Sequence, residues 1–593
     1  MKEFLPFLDL KEHRPSDAGK DLLSALAVTF LSVPQGVAYA MIAGLPPSAG
    51  LYATALPTIV GSMMRSSRHV ATGPTNAISL LVGGGVALMT GTDPLTCAIT
   101  LALMVGVLQI IAGILRLDAI VDYISNPVVL GYITGAGLLI GIGQLHNVTG
   151  TQGARGDVLN RLSVWIQGLD QLQWQAVAMA AATAAFILIL RRIRKGLPGA
   201  LIAMALATAA SMAFNLQSHG LMTVADIEPI PKGLPPLTLP DLSLISSLLP
   251  LAVACTVLSL VESSAVARTT ASRSGQRLNL SAEFTGQGLA NVSAAFCGAY
   301  PTSASLSRSA LNERSGAVTR LSGVYSGLMI LAILLAFGHL ANHTPIASLA
   351  GLLMVVAVDL VDTERIKRTL RSTLSDKLSF AVTALATWAM PLDQAIYLGV
   401  GISLILFLRN ARLLIAREMV VSKTGRLREI LPFTDPGENQ RCTAIRIIHL
   451  EGRLFFGAAG ELQNLLEEIY LQTDIKALVI RLKRTHGMDM TIAAALEAFA
   501  QRMDQQDRHL ILSGVRPDTL QILKRIGATD RLQKDHIFAT RPRWFASMHQ
   551  ALDYACTLTP NGDNTPIRLY LERYGDVSKP GDNQDTKQDN ATA

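Results

Sequence analysis

Glu262 is a carboxylic acid inside an apolar run of the sequence. It lies in Leu251-Ala-Val-Ala-Cys-Thr-Val-Leu-Ser-Leu-Val-Glu262-Ser263-Ser264, close to one end of the run. An ionised acid is costly in hydrocarbon surroundings, so a residue of this kind is a functional candidate by default. Because burial favours the protonated form, Glu262 is a candidate proton carrier. A permanently neutral Glu that hydrogen-bonds to a neighbouring helix is the structural alternative.

Two short segments, far apart in the chain, share the pattern Pro-Thr-x-Ala. They are Gly73-Pro74-Thr75-Asn76-Ala77 and Ala299-Tyr300-Pro301-Thr302-Ser303-Ala304. Each segment interrupts an apolar region with Gly and Pro and is followed by small and hydroxyl residues, which is typical of paired broken helices in inverted-repeat transporters. Two unrelated helix starts after loops are the alternative interpretation.

A helix that starts inside the membrane can bind an anion. Its first N–H groups have no partner within the helix, and its dipole is positive at that end, so two facing starts attract an anion without a fixed charge. Thr75 and Thr302 are predicted to lie at these starts. Their hydroxyls would either contact the ion or serve as ordinary N-caps.

Three further polar side chains are candidates for contact with an anion. Arg308, in Leu306-Ser307-Arg308-Ser309, would draw an anion to the site or pair with Glu262, and a cytoplasmic topology anchor is the alternative. Gln35 and Tyr39 are one helical turn apart, on one face of the first apolar run. An amide and a phenol can donate to an anion that must also leave, although polar contact between helices would use the same residues.

The elements that must position these residues are membrane helices. The chain has 593 residues, of which 50% are apolar and only 16% are charged, and this is too apolar for an ordinary soluble protein. We count about fourteen apolar stretches, several of them too short or too interrupted by Gly and Pro to be ordinary spans. The polar start, Met1 to Lys20, leads directly into the first stretch and is not expected to be a cleavable signal peptide.

Basic residues predict the orientation of these spans. The net charge is +7, but the basic residues form short clusters between apolar runs, which argues against nucleic-acid binding. Counted alternately from a cytoplasmic N-terminus, the inside loops hold most of them, including Arg65 and Arg68, and the outside loops hold only Arg155, Arg161 and Lys232. We therefore expect a bacterial inner-membrane protein with both termini in the cytoplasm. The cysteines show no CxxC spacing, so no metal and no cofactor are expected.

The chain is predicted to divide into a membrane part and a soluble part. After Arg428 the pattern changes to strands, at 443–450, 475–482 and 509–513, alternating with amphipathic helices, at 458–471, 491–503 and 517–526. This alternation predicts a small sheet covered by helices. The predicted divisions are a cytoplasmic N-terminal segment (1–20), a transmembrane transport domain (21–418), a linker (419–440), a soluble domain (441–556) and a disordered tail (557–593).

Several stretches of the sequence resemble the signature segments of the sulfate permease (SulP) family of anion transporters. They are Val33-Pro-Gln-Gly-Val-Ala-Tyr-Ala-Met-Ile-Ala-Gly-Leu-Pro-Pro-Ser-Ala-Gly-Leu-Tyr52, Gly73-Pro-Thr-Asn-Ala-Ile-Ser79, and Gln287-Gly-Leu-Ala-Asn-Val292 leading to Ser305-Leu-Ser-Arg-Ser-Ala-Leu-Asn312. The soluble part resembles the STAS domain of that family. The resemblance extends from about Lys20 to Ala555, in the family's order and spacing.

The resemblance implies an α-helical polytopic protein of about fourteen segments in a 7+7 inverted repeat, shared with uracil permeases, whose core domain moves against a gate domain. The ion is then expected between the third and tenth segments, which begin near Pro74 and Pro301. Ala304 replaces a Gly that is frequent in the family, and this is expected to restrict the approach of the backbone to the ion. Glu262 is similar to the glutamate of proton-coupled members. The residues implied as substrate ligands are Gln35, Tyr39, Thr75, Asn76, Thr302, Ser303, Ser305, Ser307 and Arg308.

The STAS resemblance also implies a possible regulatory position. In these domains a Ser often follows the Asp that starts the second helix, and it is phosphorylated in the anti-sigma-antagonist relatives. This chain has Asp489-Met490-Thr491 there. Regulation by phosphorylation is therefore expected only if Thr491 takes the place of that Ser.

The sequence thus predicts a secondary active transporter of inorganic anions, with proton-coupled sulfate uptake by an elevator-like motion as the best single expectation. Bicarbonate with sodium, a dicarboxylate or chloride exchange remain open, because helix-terminus sites recognise charge more than identity. A nucleobase carrier is disfavoured by the soluble domain, a non-transporting scaffold or sensor by the intramembrane acid, and an enzyme by the missing nucleophile–base pair and P-loop. The expected partners are the anion, H+, the lipid bilayer, a second copy of the chain and a cytoplasmic protein that binds the soluble domain.

Overall fold

The computed structural model describes residues 17–574 except 90, 122–123, 154–157, 194–197, 232, 413, 438, 533, 544 and 561–563. The chain forms two compact units that divide between Leu404 and Ile405. Most of the predicted N-terminal segment, 1–16, and the end of the predicted tail, 575–593, lie outside the described residues.

The N-terminal unit is helical. Its first half contains α1 (Ala18–Ile42), α2 (Pro47–Met64), α3 (Asn76–Val86), α4 (Pro94–Ile114), α5 (Asp118–Val121), α6 (Asn126–Thr149), α7 (Val158–Gln167), α8 (Trp174–Ile193), α9 (Gly199–Ala213) and α10 (Val224–Ile227). Its second half contains α11 (Ile245–Ser274), α12 (Leu280–Phe296), α13 (Leu306–Arg314), α14 (Leu321–Ala341), α15 (Ile346–Leu360), α16 (Thr363–Leu370), α17 (Leu374–Ala389) and α18 (Leu392–Ala411), which runs past the division.

These helices match the thickness and chemistry of a bilayer. Among the described residues, 8 helices are long and apolar enough to cross a membrane, and α3 and α9 are shorter apolar helices. Large apolar side chains such as Leu188 and Leu335 point outward, as expected where the surrounding solvent is lipid. The N-terminal unit is therefore a multi-pass membrane unit.

The two halves of this unit pack in equivalent ways. Helices α1 and α2 both pack on α14, and α11 and α12 both pack on α4, while α2 and α12 pack on each other. Two short strands, β1 (Ala71–Gly73) and β2 (Ser303–Ser305), precede α3 and α13 and pair antiparallel. Equivalent helices of the two halves thus make equivalent contacts with the other half, and this is consistent with the predicted inverted repeat.

The membrane helices also form two packing groups. The first group is α1–α4 with α11–α14, and the second group contains α6, α8, α9, α15 and α17. Within the second group α6 packs on α15 and α17, and α8 packs on α9 and α15. The groups meet where α1 contacts α9 and α15 and where α3 contacts α6.

The C-terminal unit is a sheet covered by helices. Its strands are β3 (Ile415–Val421), β4 (Leu427–Ile430), β5 (Ile445–Arg453), β6 (Ala477–His486), β7 (His509–Val515) and β8 (Ile537–Ala539), in the order β4-β3-β5-β6-β7-β8. Its helices are α19 (Ala459–Tyr470), α20 (Met490–Asp504), α21 (Pro517–Arg525), α22 (Ala528–Arg531), α23 (Ala546–Leu558) and α24 (Thr565–Tyr574). Strands β5–β8 are parallel neighbours, and β3 is antiparallel to both β4 and β5. One face of the sheet packs on α19 and α20 and the other on α23 and α24, so the apolar start of β6, Ala477 to Ile480, is buried on both faces.

The three strands and three helices predicted for this unit are present, as β5, β6, β7, α19, α20 and α21. Two boundary predictions are wrong. The segment predicted as a linker, 419–440, holds β4 and the last three residues of β3, Met419 to Val421, which are buried. The segment predicted as a disordered tail, 557–593, contains α24, because Ile567 and Tyr570 lie three residues apart and bury one helical face in the core.

Candidate functional site

Two half-helices of the membrane unit begin at one pair of strands. In this pair Thr72 lies opposite Ala304, and both strands are fully buried. Helix α3 begins at Asn76 and α13 at Leu306, shortly after β1 and β2. The pairing therefore brings together two helix N-termini, with their unbonded N–H groups and the positive ends of their dipoles.

The capping residues of the two half-helices are Thr75 and Ser305. The Thr75 hydroxyl accepts from the Ile78 N–H at 3.4 Å, as predicted for a helix start. In the second half the cap is Ser305, whose hydroxyl accepts from the Arg308 N–H at 3.5 Å. The prediction of Thr302 as that start is wrong, because the chain continues through β2 before the helix begins.

Glu262 on α11 contacts both halves of this site. Its Oε2 accepts a hydrogen bond from the Thr75 hydroxyl at 3.1 Å. The hydroxyl of Ser303, a fully buried residue of β2, is within hydrogen-bonding reach of the same carboxylate. The acid therefore lies against the start of α3 and against β2, so a change in its protonation would alter hydrogen bonds to both elements.

Arg308 is a buried cation in the first turn of α13. It is 1% exposed, and its Nη2 donates to the carbonyl of Pro74 at 2.6 Å. Its Nε and Nη1 have no hydrogen-bond partner among the described residues. Buried donors without a partner are rare and costly, so the guanidinium is suited to receive an anion at these atoms.

Glycine at position 73 makes room for this guanidinium. A Cβ at Gly73 would lie 2.4 Å from Nη1 of Arg308, and its φ of +152° is a conformation that other residues rarely adopt. In the Gly-Pro pair of the first segment, Gly73 thus leaves space for the Arg308 guanidinium, and the Pro74 carbonyl accepts its hydrogen bond.

Helix α1 adds the amide and the phenol predicted for the site. Gln35 and Tyr39 are both buried, and Oε1 of Gln35 has no hydrogen-bond partner within the described part of the chain. Tyr39 is close enough to Arg308 and Glu262 to interact electrostatically with both. The structure thus brings Tyr39 close to the cation and the acid of this site, and Gln35 lies one helical turn before it on α1.

The remaining predicted ligands lie at the edge of the site or behind it. The Ser307 side chain is exposed, and its hydroxyl lies 3.3 Å from that of Ser305. The partly buried Asn76 accepts from the Ala77 N–H at 2.9 Å. Thr302 is bonded to α12, since its N–H and hydroxyl both donate to Oδ1 of Asn291, at 2.7 and 2.8 Å.

Sequence reasoning missed the buried polar network that holds Thr302. Gln287 and Asn291 on α12 are fully buried and donate to the Thr302 carbonyl at 3.0 and 3.1 Å. Their i, i+4 spacing on one helix face was the available signal. Arg65, which was assigned to an inside loop by the basic-residue pattern, also belongs to this network: it is the C-cap residue of α2 and is fully buried.

The possible regulatory residues lie at the start of α20. Asp489 is the N-cap of that helix and accepts from the N–H groups of Ile492 and Phe456, at 3.0 and 2.5 Å. Thr491 is exposed in the first turn. Across the described residues, no group of three or more His, Cys, Asp and Glu side chains is arranged to hold a metal ion.

Comparisons with known proteins find similarity to one protein family along most of the chain. A family model described as "Sulfate permease family" matches residues 19–383, and a "STAS domain" model matches residues 438–543. The putative sulfate transporter YvdB of Bacillus subtilis is 27% identical over 525 residues, which cover 88% of this chain and 96% of that protein.

Two solved structures show the same fold. The murine anion transporter Slc26a9, in an inward-facing state, aligns with a TM-score of 0.84 at 19% identity and covers 94% of each chain. The transmembrane domain of the cyanobacterial bicarbonate transporter BicA aligns with a TM-score of 0.57 at 23% identity, over 66% of this chain and 98% of that one.

Proposed function

The chain belongs to the sulfate permease family of anion transporters, and from that premise we propose that it takes up sulfate together with protons across a bacterial inner membrane. This is a family of transporters and not of enzymes. The observation that carries the proposal is the meeting of the α3 and α13 starts around the guanidinium of Arg308, two of whose donor atoms have no partner in the described part of the chain. Dipole ends and free donors stabilise an anion without holding it too firmly to be released.

The proposed ligand set is Arg308 with the groups that surround it. Thr75 and Ser305 present the helix starts, and Gln35 and Tyr39 close the site from α1. Asn76, Ser303 and Ser307 are proposed as contacts made at the edge of the site as the anion enters. Thr302 is proposed to position β2 and not to bind the anion, because its own polar groups are bonded to α12.

Sulfate is the proposed anion because relatives over nearly the whole chain, such as YvdB, carry that description. A tetrahedral dianion would accept hydrogen bonds from several directions, as converging helix starts and a guanidinium provide. Bicarbonate, a dicarboxylate or exchanged chloride would use the same donors, so the test must include them.

Protons are the proposed coupling ion because of Glu262. A carboxyl group between the Thr75 and Ser303 hydroxyls can hold a proton in a partly buried site among apolar helices. Loading this proton with a divalent anion would reduce the net charge that crosses the bilayer. Release on the cytoplasmic side would then restore the carboxylate.

The proposed motion is a displacement of the first packing group against the second, in the manner of an elevator. Both half-helices, Glu262 and Arg308 belong to the first group, so the whole site would move as one body. The limited contact of α1 and α3 with α6, α9 and α15 supports this, because small interfaces allow domains to slide. We also propose cytoplasmic termini, a homodimer and a cytoplasmic partner for the STAS domain.

Uptake by the purified protein in liposomes tests the proposal. Labelled sulfate, bicarbonate and succinate are supplied separately, with and without an inward proton gradient and with sodium or potassium as the only cation. Sulfate accumulation that requires the proton gradient is the expected result. Sodium-dependent bicarbonate uptake, or sulfate movement only in exchange for internal chloride, would contradict it.

A further inference from the structure

Arg65 is a cation at the end of α2 that lies entirely inside the protein. Its side chain is 0% exposed, and its Nε donates to the Gly61 carbonyl at 3.1 Å. Its Nη2 donates to two side chains, the Thr72 hydroxyl at 2.5 Å and Oε1 of Gln287 at 2.8 Å. One planar guanidinium therefore holds a residue of β1 and a residue of α12 at once.

These two partners lead directly to the strands at which the half-helices begin. Thr72 is the central residue of β1 and lies opposite Ala304 of β2. Gln287 donates to the carbonyl and the hydroxyl of Thr302, at 3.0 and 3.3 Å, and Thr302 immediately precedes β2. Arg65 is thus bonded to one strand directly and connected to the other through a single side chain.

Glu283 balances the charge of Arg65. It is also 0% exposed, its Oε2 lies 3.8 Å from Nη1 of Arg65, and its Oε1 accepts from the Ser67 N–H. Pairing reduces the cost of burying two charges, but replacement of such a pair by uncharged residues is often neutral for stability. Charge balance between Arg65 and Glu283 therefore does not explain why Arg65 also donates hydrogen bonds to Thr72 and Gln287.

The backbone of α12 also rests on Arg65. A Cβ at Gly286 would lie 2.8 Å from the N and Cα atoms of Arg65, so glycine there permits direct contact. The distance between the end of α2 and α12 is consequently fixed by backbone packing as well as by side-chain bonds. A side chain of different length or shape at position 65 could not reach both partners from the same backbone position.

We propose that Arg65 is a positioning residue that sets the relative placement of the two half-helix starts, an inference that rests on the proposed anion site between them. It does not touch the anion. By bonding to both Thr72 and Gln287, it fixes β1 against β2. The two strands in turn fix the positions of Thr75, Ser305 and the donors of Arg308.

Variants of the full chain separate positioning from charge balance. Arg65→Lys keeps the charge but loses the planar fork. The double variant Arg65→Met with Glu283→Gln removes both charges and avoids leaving Glu283 unpaired, while an amide at 283 can still accept from Ser67. Arg192→Met, at an exposed arginine of α8, is the matched control.

Two readouts are measured for each variant. We expect Arg65→Lys and the double variant to raise the KM for sulfate by about 3- to 10-fold, the range that corresponds to one lost hydrogen bond, with kcat changed less than twofold or so. We expect hydrogen exchange to become faster in the peptides that cover β1 and β2. Arg192→Met should match the parent in both measurements.

Parent values of KM and of exchange in the double variant would overturn the proposal and leave Arg65 and Glu283 as a pair that only balances charge. Hydrogen exchange does not depend on transport. If the parent took up no sulfate, the proposed function would fail, and exchange at β1 and β2 would still decide the role of Arg65.

Discussion

Arg308 and Pro74 belong to opposite halves of the membrane unit, and the guanidinium of Arg308 donates a 2.6 Å hydrogen bond to the Pro74 carbonyl. The bond joins the first turn of α13 to the residue before the Thr75 cap of α3. It leaves Nε and Nη1 of Arg308 without a partner among the described residues. The cation is therefore oriented by one half of the unit while it is carried by the other.

Changing Arg308 to Ala should weaken the binding of the transported anion. We expect the KM for sulfate to rise by about 10- to 100-fold, because a charge-assisted hydrogen bond contributes roughly 1.5 to 3 kcal/mol. Arg308→Lys should fall between the parent and Arg308→Ala. Initial uptake rates over a range of sulfate concentrations give these values, with Arg314→Ala, at an exposed arginine of the same helix, as the control. Unchanged kinetics in Arg308→Ala would exclude Arg308 as a ligand.

Changing Gly73 to Ala should act through the same guanidinium. A Cβ there would displace Arg308 from the Pro74 carbonyl, so we expect the KM to rise as it does in Arg308→Ala. Gly316→Ala is a matched control, since Gly316 also has a positive φ, +90°, but no atom of the described residues lies within 4 Å of the added Cβ. If both glycine variants changed transport equally, backbone strain and not displacement of Arg308 would be responsible.

Local chemistry explains what the sequence could predict. Thr75 follows the break in its helix immediately, so its capping role was visible in the Gly-Pro-Thr pattern. Strand β6 of the soluble unit was visible because its first four residues, Ala477 to Ile480, form an apolar run that is buried on both faces. The strand pair that shifts the second cap from Thr302 to Ser305 depends on residues distant in sequence, and local patterns do not contain that information.

Burial of charge was the least predictable feature. Arg65 lies among the basic residues between apolar runs, where a topology anchor and a buried arginine look the same. Its environment is created by Thr72, Gln287 and Glu283, which come together only in the folded chain. Strand β3 was missed for a related reason, since Glu418 interrupts its apolar pattern and is buried only because Arg441 and Arg446, later in the chain, pair with it.

The hairpin of β3 and β4 should be required for folding of the soluble unit. A fragment that starts at Leu414 contains both strands, whereas one that starts at Arg441 lacks them and leaves the edge of β5 open. It also leaves the buried Arg446 without Glu418, a loss of roughly 3 kcal/mol or more for a buried pair broken on one side. Urea unfolding of fragments 414–574 and 441–574, followed by circular dichroism, measures the difference. Equal midpoints would show that 419–440 is a linker after all.

The stability of the soluble unit should decrease at mildly acidic pH because of His449. Burial lowers the pKa of His449 below its usual 6.5, although the hydrogen bond that its ring donates to the Glu429 carboxylate acts in the opposite direction. The unfolded chain therefore takes up this proton more readily than the folded one below about pH 6.5. The contribution of neutral His449 to the free energy of unfolding is therefore complete above about pH 6.5, and it is lost as the pH falls towards the pKa of the folded state.

Unfolding of the 414–574 fragment between about pH 5 and 8 tests this dependence, since an ordinary histidine titrates within that range. We expect His449→Gln to reduce the slope of the free energy of unfolding below about pH 6.5. His486→Gln, at an exposed histidine, is the control and should leave the slope unchanged. The same slope in His449→Gln as in the parent would assign the pH dependence to other groups.

Changing Glu262 to Gln should separate anion binding from proton coupling. The amide oxygen of Gln can still accept from the Thr75 hydroxyl, so the contact at 3.1 Å can be kept while the side chain is held in a neutral form. We expect counterflow of labelled sulfate to stay within about twofold of the parent, because the donors around Arg308 are untouched. Accumulation driven by an inward proton gradient should be lost, since no proton can then be loaded and released. Both measurements must be made on the same proteoliposomes, so that a fall in the amount of inserted protein is not mistaken for a loss of coupling. If the Gln variant accumulates sulfate in response to a pH step as the parent does, Glu262 only joins α11 to the start of α3, and protons are coupled elsewhere or not at all.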